Sequence, residues 1–184
     1  LALCVCLELK IALVILVVAP ALVFGDIGNI NNGLKGEKSR LLNPRHLILV
    51  KTDAKKEFLS IIEKHCPDVQ YMAIVRKPEE IDLVKSYKLN YIGNEVLFAT
   101  EDSPFASPEF IEQQHKEDLL VWCNTIVYNY RTVLSAGHND DVSAAGDPDN
   151  GWGWVADRGF DLIQTDWPMM LIDYLRRTDR LYRK

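Results

Sequence analysis

From residue 44 onward the chain alternates short, mainly apolar runs with stretches whose apolar residues recur at helical spacing. His46 to Lys51, Val69 to Val75, Gly93 to Ala99, Leu119 to Ile126 and Asp161 to Thr165 read as strands. Strands apolar on both faces are buried on both, as in parallel sheets. Helices fall between them. Ala54 to His65 carries Phe58, Leu59, Ile61 and Ile62 on one stripe, with Thr52 or Asp53 as its cap and Cys66-Pro67-Asp68 as its stop. Lys77-Pro78-Glu79-Glu80 opens a helix running to about Tyr87, with Pro in the first turn and acids at the positive dipole end. Ser107-Pro108 opens another to about Lys116, and Trp167-Pro168 opens the last, Met169 to Arg177. The pattern predicts an α/β fold of parallel, TIM-barrel-like β/α units. A whole (β/α)8 barrel takes about 250 residues. A chain of 184 that starts with Leu predicts an incomplete barrel and a piece of a longer product.

The first 43 residues break this rhythm. Ile11 to Phe24 is an almost unbroken aliphatic run. Three readings fit it: the core of a secretory signal with Lys10 before it, a membrane anchor interrupted by Glu8 and Lys10, or a buried strand at Leu3 to Leu9 followed by core. The first two predict a secreted or membrane-associated protein touching a bilayer through residues 11–24; the third fits a cytoplasmic one. Gly25 to Asn43, with Asn31-Asn32-Gly33, reads as a loop. The expected organisation is therefore an apolar segment, 1–25, a linker, 26–43, and a barrel part, 44–184. A partial barrel leaves open strand edges, so self-association is expected as well.

Composition narrows the class. Hydrophobic residues at 48% are enough to bury a core, and a net charge of −5 argues against a nucleic-acid partner. Cys4, Cys6, Cys66 and Cys123 fit neither a zinc site nor a redox pair. Cys123, inside a strand, reads as a buried thiol. The acid-rich stretch His138-Asn139-Asp140-Asp141 to Asp147-Pro148-Asp149-Asn150-Gly151 lacks calcium-loop spacing and reads as a solvated loop, with Trp152 and Trp154 packing it down.

In a barrel the working residues stand at the carboxyl ends of strands. That rule selects Lys51, Glu95, Trp122, Asn124 and Asp166 for substrate binding. Lys51 can meet a phosphate as a point charge or stand solvated in a loop. Glu95 can line the mouth, pair with Lys51 or sit at an exposed edge. Trp122 can wall a pocket or fill the core, and Asn124, two residues on, shares its face. Asp166 can orient a partner or cap the final helix.

The run Val121-Trp122-x-Asn124-Thr125, then Gly159-x-Asp161-x-Ile163-x-Thr165-Asp166-x-Pro168 and Leu171-x-x-Tyr174-Leu175, resembles the last two barrel units of the glycerophosphodiester phosphodiesterase family. The resemblance extends back to about Asn43. It implies hydrolysis of glycerophosphodiesters, small molecules of lipid metabolism, to an alcohol and glycerol 3-phosphate with a divalent cation, Mg or Ca. Glu8-Leu9-Lys10 is similar to the Glu-x-Lys that ends the family's fourth strand, so the resemblance makes Glu8 a metal ligand and Lys10 a substrate contact. It also implies that Trp122 walls the glycerol or alcohol side of the pocket. The family's acid–base histidines stand in His-Arg-Gly and His-Asp motifs and two of its metal ligands in Glu-x-Asp. Those motifs do not occur where they would be needed, and His46, His65, His115 and His138 match none of their positions. No catalytic residue is therefore assigned. The alternatives are a non-catalytic barrel half serving binding or assembly, and a sphingomyelinase D-like phosphodiester lyase.

Overall fold

The structure is a computed structural model that describes the backbone of residues 14–16 and residues 49–127 and 129–181. Six strands form one sheet whose order follows the chain: β1 (Val14–Leu16), β2 (Leu49–Asp53), β3 (Gln70–Val75), β4 (Asn90–Val96), β5 (Leu120–Asn124) and β6 (Leu162–Gln164). Five of them, β2 to β6, form a parallel sheet alternating with helices. β1 pairs antiparallel with β2, Val14 opposite Lys51. It comes from the aliphatic run, at 14–16; the strand expected at Leu3 to Leu9 lies outside the described residues.

The helices are α1 (Lys56–His65), α2 (Pro78–Lys85), α3 (Pro108–Lys116), α4 (Asp140–Ala144), α5 (Trp154–Asp157) and α6 (Pro168–Arg177). A 3-10 turn, Pro104–Ala106, precedes α3, and a π-helical turn, Asp149–Gly153, precedes α5. Ser107 caps α3 by accepting from Phe110 N at 3.1 Å, and Pro108 follows in the first turn, where its missing N–H costs nothing. Among the described residues no helix is long and apolar enough to cross a membrane.

Two compact units divide the chain: residues 1–73 with 83–91, and residues 74–82 with 92–184. In the first, α1 buries Leu59 and Ile62 from its stripe, and the Tyr71 hydroxyl meets Thr52 Oγ1 at 3.2 Å. The expected cap of α1 is corrected: β2 continues through Asp53, which uses Thr52 and Asp53 as strand residues. The cap position falls on Lys55, without a side-chain cap bond. In the second unit, Phe98, Phe160 and Trp154 pack together, with Phe98 and Phe160 stacked at 6.1 Å. A separate cluster joins Trp152 to Leu171 and Tyr174 of α6.

Candidate active-site residues at the carboxyl ends of the strands

β4 and β5 run in parallel with Glu95 opposite Trp122, and β6 continues the ladder with Gln164 opposite Asn124. The period of two along a strand puts Glu95, Trp122 and Asn124 on one face and Asn94, Val121 and Cys123 on the other. Asn94 Nδ2 donates to Gln114 Oε1 of α3 at 3.0 Å. Ile163, on the same side as Cys123, packs against Trp152, Leu171 and Tyr174. The second face is therefore the helix-covered one, and Glu95, Trp122 and Asn124 point away from α3 and α6.

These three side chains form one hydrogen-bonded line. Trp122 Nε1 donates to Asn124 Oδ1 at 3.1 Å, and Asn124 Nδ2 donates to Glu95 Oε1 at 2.6 Å. An indole only donates and a carboxylate only accepts, so the amide orientation of Asn124 is fixed from both ends. All three are buried, at 6%, 3% and 6% exposure for Trp122, Asn124 and Glu95. A buried carboxyl group held by an amide is a fixed polar group in a low-dielectric setting, suited to orienting a hydroxyl or ammonium group. Beside it, on the helix face, burial pushes the Cys123 thiol well above its ordinary value, so it stands as an inert apolar group.

Lys51 lies in the other compact unit and inside β2, two residues short of its end, half-buried. Glu8 and Lys10 lie outside the described residues. Asp166 is exposed, and it does not cap the last helix: the cap position is Trp167, which makes no side-chain cap bond. Its backbone N–H donates instead to Asp140 Oδ2 at 2.8 Å.

The acid-rich loop departs most from expectation, because its Asp140 and His138 are buried. Asp140, only 2% exposed, accepts from Thr125 Oγ1 at 2.7 Å, Trp152 Nε1 at 2.7 Å, Thr165 Oγ1 at 2.8 Å and the Asp166 N–H. One carboxylate thus ties the ends of β5 and β6 to the turn before α5. His138, 6% exposed, donates from Nδ1 to the Asn150 carbonyl and meets Glu101 Oε1 through Nε2 at 2.9 Å. Its ring stacks on Trp154 at 3.8 Å, and the Arg158 guanidinium sits 3.3 Å from the same indole. Burial holds Arg158 below its ordinary range, while Glu101 and Asp157 pull it the other way. No local pattern marks Asp140 and His138 in the sequence, because both lie well past the end of β5 at Asn124 and their partners are distant along the chain.

Past the strand ends, a cleft of about 590 Å³ opens between Arg76, Leu97 to Thr100, Asp102 to Pro104 and Thr132 to Leu134. The segments lie just after β3 and β4 and in the stretch following β5. Glu95, Trp122 and Asn124 do not line it.

Among the described residues no three His, Cys, Asp or Glu side chains come together to hold a metal ion. His115 is bonded to Asp161 and His138 to Glu101 and Asn150. The described donor set does not fit a divalent cation.

The parallel strands alternating with helices define a protein of the α/β class, with polar side chains gathered at the carboxyl ends of β4 and β5. Residues 71–175 match the family DUF4996, described as a domain of unknown function, and the chain belongs to that family. No curated protein matches it.

Proposed function

We propose that the chain supplies the substrate-binding side of a phosphodiester-processing (β/α) barrel, incomplete in these residues, of the kind the glycerophosphodiester phosphodiesterase resemblance implies. The observation that carries this reading is the Trp122–Asn124–Glu95 line at the ends of two adjacent parallel strands. The strand order supports the barrel. From β2 to β6 each strand lies next to its predecessor, without reversal. Right-handed crossovers in such an order put every helix on one face. α3 and α6 do cover one face, and the three site residues stand on the other. A doubly wound sheet would need a reversal, with helices on both faces.

In this reading Trp122 is a wall and a donor, Asn124 a fixed amide and Glu95 an acceptor for a ligand hydroxyl. Lys51 and Asp166 remain substrate contacts by the strand-end rule, and Lys10 a substrate contact and Glu8 a ligand of the divalent cation by resemblance alone. Turnover requires a proton carrier at the scissile oxygen, and His115 and His138 are occupied elsewhere. That occupation favours a second role over independent catalysis, namely a binding module that needs further residues to cleave.

Isothermal titration of the full chain with glycerophosphocholine, beside an assay for released choline, tests both. Binding without release is expected, with Asn124→Ala weakening it roughly tenfold by leaving the Trp122 and Glu95 polar groups without their shared partner. Release of choline that Trp122→Ala abolishes establishes independent catalysis instead. Absence of binding overturns the reading.

A further inference from the structure

His138 is buried, yet both of its ring nitrogens meet oxygen. Nδ1 lies against the Asn150 carbonyl, which can only accept, so Nδ1 carries a proton. Nε2 lies 2.9 Å from Glu101 Oε1. A neutral ring protonated at Nδ1 would turn the Nε2 lone pair onto those of a carboxylate, a repulsive contact at low dielectric. The contact therefore holds a proton, on Nε2 or on Oε1. In either form the pair keeps one proton that a separate histidine and glutamate release near neutral pH.

The groups packed around the pair give the loss of that proton a consequence. The π-helical turn offers the Asn150 carbonyl, and α5 offers the Trp154 ring, stacked on His138 at 3.8 Å. In α4, two residues on, Asp140 has its oxygens committed to Thr125, Trp152, Thr165 and the Asp166 N–H. Just past α5, Arg158 lies 3.3 Å from the Trp154 ring, and its Nη2 stands 3.9 Å from Glu101 Oε2. Its neighbour Asp157 is taken by Arg180. Glu101 thus has a second cation within reach, and its side chain is 59% exposed, with room to turn. We infer that Glu101 is a pH-operated clasp. With the proton in place it holds His138; once the proton is gone, the Nε2 lone pair repels it and it turns to Arg158. Arg158 Nε also holds the Ala106 carbonyl at 3.1 Å, so the far end of segment 101–106 stays fixed while its near end shifts. Asp102, Ser103 and Pro104 of that segment wall the cleft past β3 and β4, so the clasp couples pH to the shape of that wall. The inference goes beyond the function proposed above and uses none of the Trp122–Asn124–Glu95 line.

The closed clasp binds one proton more than the open one, so it is closed at acid pH and weakens as pH rises. The test is amide hydrogen exchange of the full chain from about pH 6 to about 8.5, across the ordinary histidine range. The reporters are the Ser103, Ala106 and Ser107 N–H groups, which donate to the Thr100, Ser103 and Pro104 carbonyls. With the intrinsic exchange rate divided out, their protection is expected to fall by up to about tenfold per pH unit, the limit for one linked proton. In Glu101→Gln the amide donates to Nε2 without a titrating proton, so the fall should flatten. Position 101 is exposed, and circular dichroism melts check that the variant folds as the parent does. Nuclear magnetic resonance of the parent at about pH 6 should find a proton on His138 Nε2 or on the Glu101 carboxyl group. Level protection across the range, an equal fall in Glu101→Gln, or both atoms without a proton overturns the inference.

Discussion

Single side chains in this protein carry more structure than their types suggest. Tyr71, fully buried at 0% exposure, has its hydroxyl pushed up to about 12 from an ordinary 10.0, first by burial, against a lowering hydrogen bond from Thr52. Between those two values the unfolded chain gives up the proton before the folded one does. Tyr71 thus contributes stability that is intact below about pH 10 and lost as pH rises toward about 12. Tyr174, also raised to about 12, adds to the same decline. Urea midpoints measured from about pH 9 to 11.5 should fall, and Tyr71→Phe should flatten part of the fall while costing about 1 kcal/mol at neutral pH for the lost Thr52 bond. An unchanged slope in Tyr71→Phe would assign the decline elsewhere. The readable residues were those whose role follows from strand position alone. Trp122 and Asn124 stand two apart on one strand, so their shared face is legible; Glu95 joins them only through the register of β4 against β5. Asp140 was read as solvated because its neighbours Asp141 and Asp147 are acidic and exposed. The partners that bury it, Thr125 and Thr165, lie 15 and 25 positions away, beyond the reach of any local pattern.

At the scale of elements the order of strands and helices was legible and their limits slid. β4 begins at Asn90, not at Gly93, and the reason is physical. Gly93 is expected to open the strand, but it is an interior strand residue where β5 comes close. A Cβ placed there would lie 2.3 Å from the Leu120 carbonyl oxygen. That neighbour is backbone in a hydrogen-bonded ladder and cannot turn aside. Gly93→Ala should therefore cost about 2 to 3 kcal/mol, the upper range for overpacking, although alanine favours neither more nor less burial here. Chemical denaturation measures this directly, and a loss below about 0.5 kcal/mol would show that β4 and β5 separate freely. β2 slid for a different reason. Thr52 and Asp53 have the chemistry of a helix cap, yet Thr52 is claimed by Tyr71, and a tertiary bond outweighs the local preference. Masses of charge in loops hid the π-helical turn at Asp149–Gly153, for which no sequence period exists.

Across the molecule, every strand from β2 to β6 pairs with the one before it in sequence. Such a sheet can grow one β/α unit at a time, and its slowest addition is the one with the longest excursion. That is β6, reached only after α4, the π-helical turn and α5. Closing a loop costs entropy that rises with its length. Asp140 pins the middle of this excursion to both ends, through Thr125 and Thr165, and so divides one long closure into two shorter ones. Removing its carboxylate leaves Trp152 Nε1, Thr165 Oγ1 and the Asp166 N–H without their acceptor, while Thr125 Oγ1 keeps the Gln164 carbonyl. Asp140→Ala should lower stability by at least about 3 kcal/mol. If the pin forms before β6 docks, most of that loss appears as slower refolding, with a φ-value above about 0.5, rather than as faster unfolding. Stopped-flow chevrons of the parent and the variant separate the two. A buried aspartate then acts on the folding clock as well as on the folded state, setting how long the edge of β5 stays open to other chains while the polypeptide completes its sheet.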